Sequence, residues 1–296
     1  MRLGVSFPHQ AIGSDSIAIR DWAQAVEDLG FDHLIVYEHV LGPDPSIHLN
    51  AGFEYTNRNV YHEALVLCGF LAATTRRIGL QTAVTVLPLR DTIIFAKQAA
   101  EVDLLSHGRL RVGVGAGWMA FEFAALDRDF HTRGARLGEQ MALLRALWSN
   151  PSVTMHGRWH HIEGAGINPM PVQRPIPVWV GGTVRAAVRR VAQHGDGWIA
   201  GGEYASRPPD NDARQMLAWL HEEARAAGHR PDEFGVQGGM SIGPLPETEW
   251  ATRAEAWARF GATDLIIDTT LSLPTGSLDT VGQQIRALGR VKAALG

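Results

Sequence analysis

The chain has 296 residues, 45% hydrophobic and 20% charged, proportions that exclude a disordered segment and suit one large α/β domain spanning 1–296. A formal charge of −4 and a pI near 6.3 supply no basic field, so neither nucleic acid nor a membrane surface is expected as a partner. Cys68 is the one cysteine, which excludes an internal disulfide and a thiolate cage. With a strand-like first segment and no apolar run of about 18 residues, a cytoplasmic, unexported protein is expected.

In chain order, residues 2–7 read as a buried strand. Residues 16–29 read as a helix with Ile17, Trp22, Ala25, Val26 and Leu29 at helical spacing, ended by Gly30. The apolar run 33–38 is a second strand. A polar stretch at about 40–60, rich in Pro, Asn and Gly, follows it and has the length of a lid or binding loop. Next come a helix at 61–75, a strand at 78–86 and a helix at 91–105 with Ile94, Ala99, Val102 and Leu105 inward. The fourth strand runs into Val112-Gly-Val-Gly-Ala-Gly-Trp118. The helix at 135–148 carries Leu137, Met141, Leu144, Leu147 and Trp148 on one face. Residues 150–177 break the rhythm with five prolines and short alternations, as a hairpin and crossing loop would. The beat resumes with strands at 177–181, 196–200, 234–242 and 264–268, and helices at 184–194, 211–227, 248–260 and 278–295. Eight strand–helix units predict a single parallel (β/α)8 barrel with a lid after strand 2 and an insertion before strand 5.

In such a barrel chemistry sits at the C-terminal strand ends. Those positions are Pro8, Glu38, His39, Thr82 to Thr85, Gly115 to Trp118, Gly181 to Thr183, Gly201, Met240 and Asp268. Glycine weakens a strand interior, so Gly113, Gly115 and Gly117 point to another backbone or a flat ligand lying against them, or to a tight turn. A dinucleotide fingerprint does not fit, because Trp118 and Ala120 stand where its third glycine would fall. His39 is placed to move a proton or to bond a neighbouring carbonyl. Gly181-Gly-Thr183 before a helix suits a phosphate, or a plain connection in which Thr183 caps the helix. His156, His160 and His161 lack a carboxylate or cysteine partner at metal-ligand spacing, so no metal site is expected. Tyr55, Tyr61, Trp118, Trp179 and Trp198 fall near the mouth and suit a pocket lining or packing.

Several segments together resemble the bacterial luciferase-like family. They are Phe31-Asp followed by Glu38-His39, Leu87-Pro-Leu-Arg90, Lys97-Gln-Ala-Ala-Glu-Val-Asp103, Ser106 through Trp118, Pro175 through Gly182, and Gly195-Asp-Gly-Trp198. Within the family they are most similar to the actinobacterial branch that uses the deazaflavin coenzyme F420. The resemblance implies a deazaflavin across the strand ends, backed by Thr82, Ala83 and Val84 with a non-prolyl cis peptide at Ala83–Val84. It further implies that Gly115, Ala116, Gly117 and Trp118 let the coenzyme approach, that Val180, Gly181, Gly182 and Thr183 receive its phosphate, and that His39 lies beside the reactive carbon. Where the family's sugar-phosphate dehydrogenase has a glutamate after the fourth-strand glycines, this chain has Trp118, so a more apolar substrate is expected and Glu38 is left to compensate. The implied activity is hydride transfer to or from a small organic substrate, in a homodimer. An FMN-dependent monooxygenase and a non-catalytic deazaflavin or flavin carrier are the rivals.

Overall fold

The computed structural model describes residues 1–48, 55–200, 207–243, 245–269 and 280–296. Eight parallel strands close on themselves: β1 (Arg2–Ser6), β2 (His33–Val36), β3 (Gly79–Thr82), β4 (Leu110–Gly115), β5 (Val178–Gly181), β6 (Gly197–Ile199), β7 (Gly235–Ser241) and β8 (Asp264–Asp268). Each pairs with the next, and β1 pairs with β8 in the register Arg2↔Asp264, so the barrel sheet closes without an open edge among the described residues. Eight helices alternate with them: α1 (Ser16–Asp28), α2 (Ala64–Thr74), α3 (Thr92–Leu105), α4 (Arg133–Ser149), α5 (Arg185–His194), α6 (Asn211–Ala226), α7 (Trp250–Phe260) and α8 (Val281–Leu295). The predicted (β/α)8 barrel is the observed one.

Local chemistry explains the helix starts. Asp15, Glu63, Asp91 and Asp210 each accept backbone N–H groups at a helix entrance, and Thr280 forms a capping box with Gln283. The packing face of α3 differs from the one expected: Phe95, Ala96, Ala99 and Val102 are buried, while Ile94 and Leu105 are exposed. Ile17 on α1 is exposed as well. Residues 150–177 contain the expected hairpin, Val153–His156 against His161–Ala165, and two cis prolyl bonds, Asn168–Pro169 and Arg174–Pro175. His160 pins that hairpin to the barrel, because its Nδ1 lies 2.7 Å from Glu139 Oε1 and its Nε2 2.7 Å from Thr92 Oγ1. The 40–60 segment falls partly on residues outside the described ones, as does Gly201.

The lower half of the barrel is polar inside. Arg111 on β4 donates to Asp264 Oδ1 (3.0 Å) and Gln81 Oε1 (3.1 Å), Gln81 donates to Gln237 (2.8 Å), and the guanidinium stacks 4.3 Å over Trp179. Trp179 therefore belongs to the floor, its indole filling the space before Gly197 and Gly235, and not to the mouth. Burial disfavours charge on Asp264, but Arg111 and its other partners, among them the Thr263 hydroxyl and Arg2, together outweigh it, and the carboxyl is held below the usual range. His33 beside it is pushed down to about 3, first by burial and then by Arg111, and stays neutral. A depressed carboxyl contributes stability above its unfolded value of about 3.9 and loses it as pH falls. Asp264→Asn, which leaves Arg111 inside the barrel without its anion, is expected to cost about 3–5 kcal/mol at neutral pH. Thermal unfolding should show the deficit narrowing as pH falls below about 4, where Asp264 of the unfolded chain takes up a proton that the folded carboxylate, held below the usual range, still resists. Equal midpoints at neutral pH would contradict the assignment.

Candidate functional site at the strand ends

Strand β3 stops at Thr82 and pairing resumes at Thr85–Val86, opposite Val114 and Gly115. Between them Ala83–Val84 leaves the ladder with a cis peptide at the position that the resemblance implies. Thr82 Oγ1 fills the resulting gap, donating to Gly113 O (2.8 Å) and accepting from Gly113 N (3.0 Å). The space in front of the glycines is taken by the protein itself. A Cβ on Gly113 would strike the Thr82 carbonyl, one on Gly115 would sit 2.6 Å from Val84 Cγ2, and one on Gly181 would sit 2.7 Å from Val84 Cγ1. Of the two occupants that strand glycines permit, another backbone or a flat ligand, the neighbouring strand is the one present. What stands at the mouth there is the half-exposed Ala83–Val84 segment, whose Val84 methyl groups lie over Gly115 of β4 and Gly181 of β5.

This sorts the sequence-predicted positions. Thr82 and Val180 are fully buried, and the Thr82 hydroxyl is committed to Gly113. Gly115 is buried, Ala116 and Gly117 are half-buried, and Trp118 is exposed at the rim. Gly117 has a φ of +81°, a left-handed conformation that suits glycine, and a Cβ there would also strike Val86. Gly181 and Gly182 are half-buried and Thr183 is exposed beside α5. Thr183 is not the cap: Val184 holds that position and no side chain caps α5. The Trp198 indole donates to Gly182 O (2.8 Å), so Trp198 is buried scaffolding and not a pocket wall.

His39 follows β2 at the rim, enclosed by Tyr55 (ring centroids 4.6 Å apart), Tyr61 (5.0 Å) and Trp118 (6.1 Å). A cleft of about 440 Å³ runs from His39 past Tyr61 and Leu89 to Ile94 and Gln98 of α3. Glu38 has another task than the one expected. Arg90 grips it with two hydrogen bonds, Nη2 to Oε2 at 2.6 Å and Nε to Oε1 at 3.1 Å, and Arg90 Nη1 also meets Glu63 at 2.7 Å. Burial pushes the Glu38 carboxyl above its usual range, with Arg90 opposing. The carboxylate that faces His39 is Glu122, on the short helix Ala120–Ala125, with Oε2 3.6 Å from His39 Nδ1. Sequence reading missed Glu122 because it looked for an acid directly after the glycines; the acid stands four positions beyond Trp118, on the next helical turn.

The profile of the family described as luciferase-like monooxygenase matches residues 1–293. An uncharacterized protein of Mycobacterium tuberculosis is 29% identical over 272 residues, 90% of this chain and 90% of its own. An F420-dependent glucose-6-phosphate dehydrogenase of Gordonia bronchialis is 29% identical over 67% of this chain and 56% of its own length. An FMNH(2)-dependent dimethylsulfone monooxygenase of Pseudomonas putida is 27% identical over 81% of this chain and 62% of its own. Two solved structures share the fold. An F420-dependent secondary alcohol dehydrogenase, in complex with an F420–acetone adduct, has a TM-score of 0.75 at 17% identity, covering 100% of this chain and 99% of that one. A monooxygenase from Streptomyces bottropensis has a TM-score of 0.74 at 21% identity, covering 100% and 98%.

Removing Arg90 tests the task assigned to Glu38. Arg90→Met strands a buried carboxylate and is expected to cost about 3–5 kcal/mol. A carboxyl with a raised value destabilises the fold progressively as pH rises above its unfolded range, so the deficit should shrink in acid. Glu38→Gln added to Arg90→Met should restore part of the melting temperature; a double variant no more stable than Arg90→Met would show that Glu38 does not depend on Arg90.

Proposed function

Because the chain belongs to the luciferase-like monooxygenase family, whose profile covers residues 1–293, we propose that it is an oxidoreductase using the deazaflavin coenzyme F420 to pass a hydride to or from a small, partly apolar organic substrate. The observation that carries this reading is the placement of three features around one rim. Val84 is raised against Gly115 and Gly181, His39 follows the adjoining strand β2, and α5 begins uncapped beside Gly181 and Gly182. When bound, a deazaflavin supplies a two-electron hydride carrier that reacts poorly with oxygen.

The residues present fit such a group. Ala83 and Val84 back the ring, with Ala116, Gly117 and Trp118 along its edge. Gly181, Gly182 and Thr183 lead into α5, whose first-turn amides and helix dipole suit the phosphate, with no acidic side chain in that turn to oppose it. His39 holds or moves the proton that accompanies hydride transfer. Tyr55, Tyr61 and Trp118 around it keep water away and match an apolar substrate, for which the adjoining cleft has room. The relative that uses FMNH(2) supports an FMN-dependent monooxygenase as the second reading, since a flavin phosphate would suit the same helix end.

A homodimer belongs to the same reading. On α2, Leu65, Cys68 and Leu71 face the barrel while Val66 and Phe70 face water, and on the adjacent α3 Ile93 and Ile94 do the same. Two neighbouring helices with outward apolar side chains suit burial against a second copy, with Val66, Phe70 and Ile93 on the covered face and Ile94 at its edge beside the cleft.

Fluorescence titration with each coenzyme separates the readings: F420 should bind tightly and FMN weakly, and the reverse order would overturn the proposal. In turnover with a panel of alcohols, ketones and activated alkenes, His39→Ala should lower kcat on the order of 10²- to 10⁴-fold; unchanged turnover would remove the proton role. Light scattering on Val66→Glu/Ile93→Glu should report a monomer where the wild type is a dimer.

A further inference from the structure

The structure assigns Glu122 the role of positioning residue for His39, an inference that rests on the proton-carrying role proposed for that histidine. The carboxylate is 2% exposed and makes three contacts at one place. Its Oε1 accepts the amide of Val40 at 2.7 Å and that of Leu41 at 3.2 Å, the two residues that follow His39. Its Oε2 faces His39 Nδ1 at 3.6 Å, and that nitrogen is buried with no hydrogen-bond partner among the described residues. One side chain thus holds both the imidazole's edge and the main chain on which the imidazole is mounted. Glu38, the carboxylate adjacent in sequence, is gripped by Arg90.

Glu122 carries the charge this requires. Burial disfavours its ionised form, but the facing His39 ring and the Leu41 and Val40 amides outweigh burial and hold the carboxyl below its usual range. An ionised carboxylate only accepts hydrogen bonds, so it selects the imidazole form with the proton on Nδ1. The lone pair is then on Nε2, the nitrogen at the other end of the ring, where a proton can be taken up and returned. The 3.6 Å separation is longer than a hydrogen bond, and such catalytic contacts commonly tighten when a ligand closes the site. A carboxylate serving only to cap the start of the 40–48 segment would need the two amides and would impose no tautomer.

That difference supplies the test, read on the free protein without coenzyme or substrate. Nitrogen-15 NMR on histidine-labelled protein at about pH 9, where imidazoles are neutral, reports the tautomer of each ring. His39→Asn identifies the signal of His39 among the 13 histidines. The wild type should show Nδ1–H. In Glu122→Gln the carboxamide oxygen keeps the two amides and its NH₂ turns to Nδ1, so the proton should move to Nε2. An Nε2–H wild type, or the same tautomer in both proteins, would overturn the assignment; should the variant not fold, the wild-type tautomer decides alone. With coenzyme and an active substrate, Glu122→Gln should lower kcat at least tenfold and leave coenzyme affinity within about twofold. If the tautomer swaps but F420 does not bind, the coenzyme reading fails and the positioning role stands. If F420 binds and the tautomer does not swap, the positioning role fails.

Discussion

Val84 cannot lie where it does unless two Cβ atoms are missing from β4 and β5, the next two strands of the barrel. Its two methyl groups reach into the places that side chains on Gly115 and Gly181 would fill. Close packing leaves no slack of an ångström in a barrel wall, so a larger residue at either glycine forces the segment outward or the strands apart. From this one fit follow the break in β3, the resumption of pairing at Thr85, and the use of the Thr82 hydroxyl as a substitute for the lost ladder contacts. The mouth gains a shaped wall without adding a loop.

The two glutamates near His39 show how environment divides labour between identical side chains. Glu38 is buried against a bidentate guanidinium and serves to hold the turn from Leu87 to Arg90 against β2. Gln140 of α4 grips the same turn from the other side, donating to Leu87 O at 3.0 Å. Glu122 is equally buried but meets two amides and an imidazole, partners that leave its charge available to the ring. A cation that saturates a carboxylate removes it from chemistry, whereas amides steady it and leave an oxygen to act.

Below the site the barrel is held by charge as well as by apolar packing. Arg111, Asp264, Gln81 and Gln237 occupy the inward positions of four strands and bond to one another, and Trp179 fills the volume opposite two glycines. Inside a low-dielectric wall such a network is stabilising only when every member is paired, which fixes the register of the strands that bear it. That rigid floor lets the rim above carry half-buried glycines and tyrosines and the exposed Trp118.

The sequence by itself determined the alternation of eight strands and eight helices and the strand ends where function gathers, both written in local signals: the period of apolar residues and the glycines and prolines that punctuate it. The segment that leaves β3 carries no such signal and is implied only by the family resemblance. It also contained the outward apolar residues of α2 and α3, but an inward and an outward face read alike along one helix. Only the tertiary structure decided that Val84 fills the space before the glycines, that Trp179 and Trp198 pack below or behind the mouth while Tyr55, Tyr61 and Trp118 surround His39, and that Glu122 rather than Glu38 faces the imidazole. Glu122 reaches the Val40 amide across 82 positions of chain. A contact of that range depends on how the closed barrel places β2 and β4 on the two sides of β3 and on the direction of one short helix, and no local period encodes either.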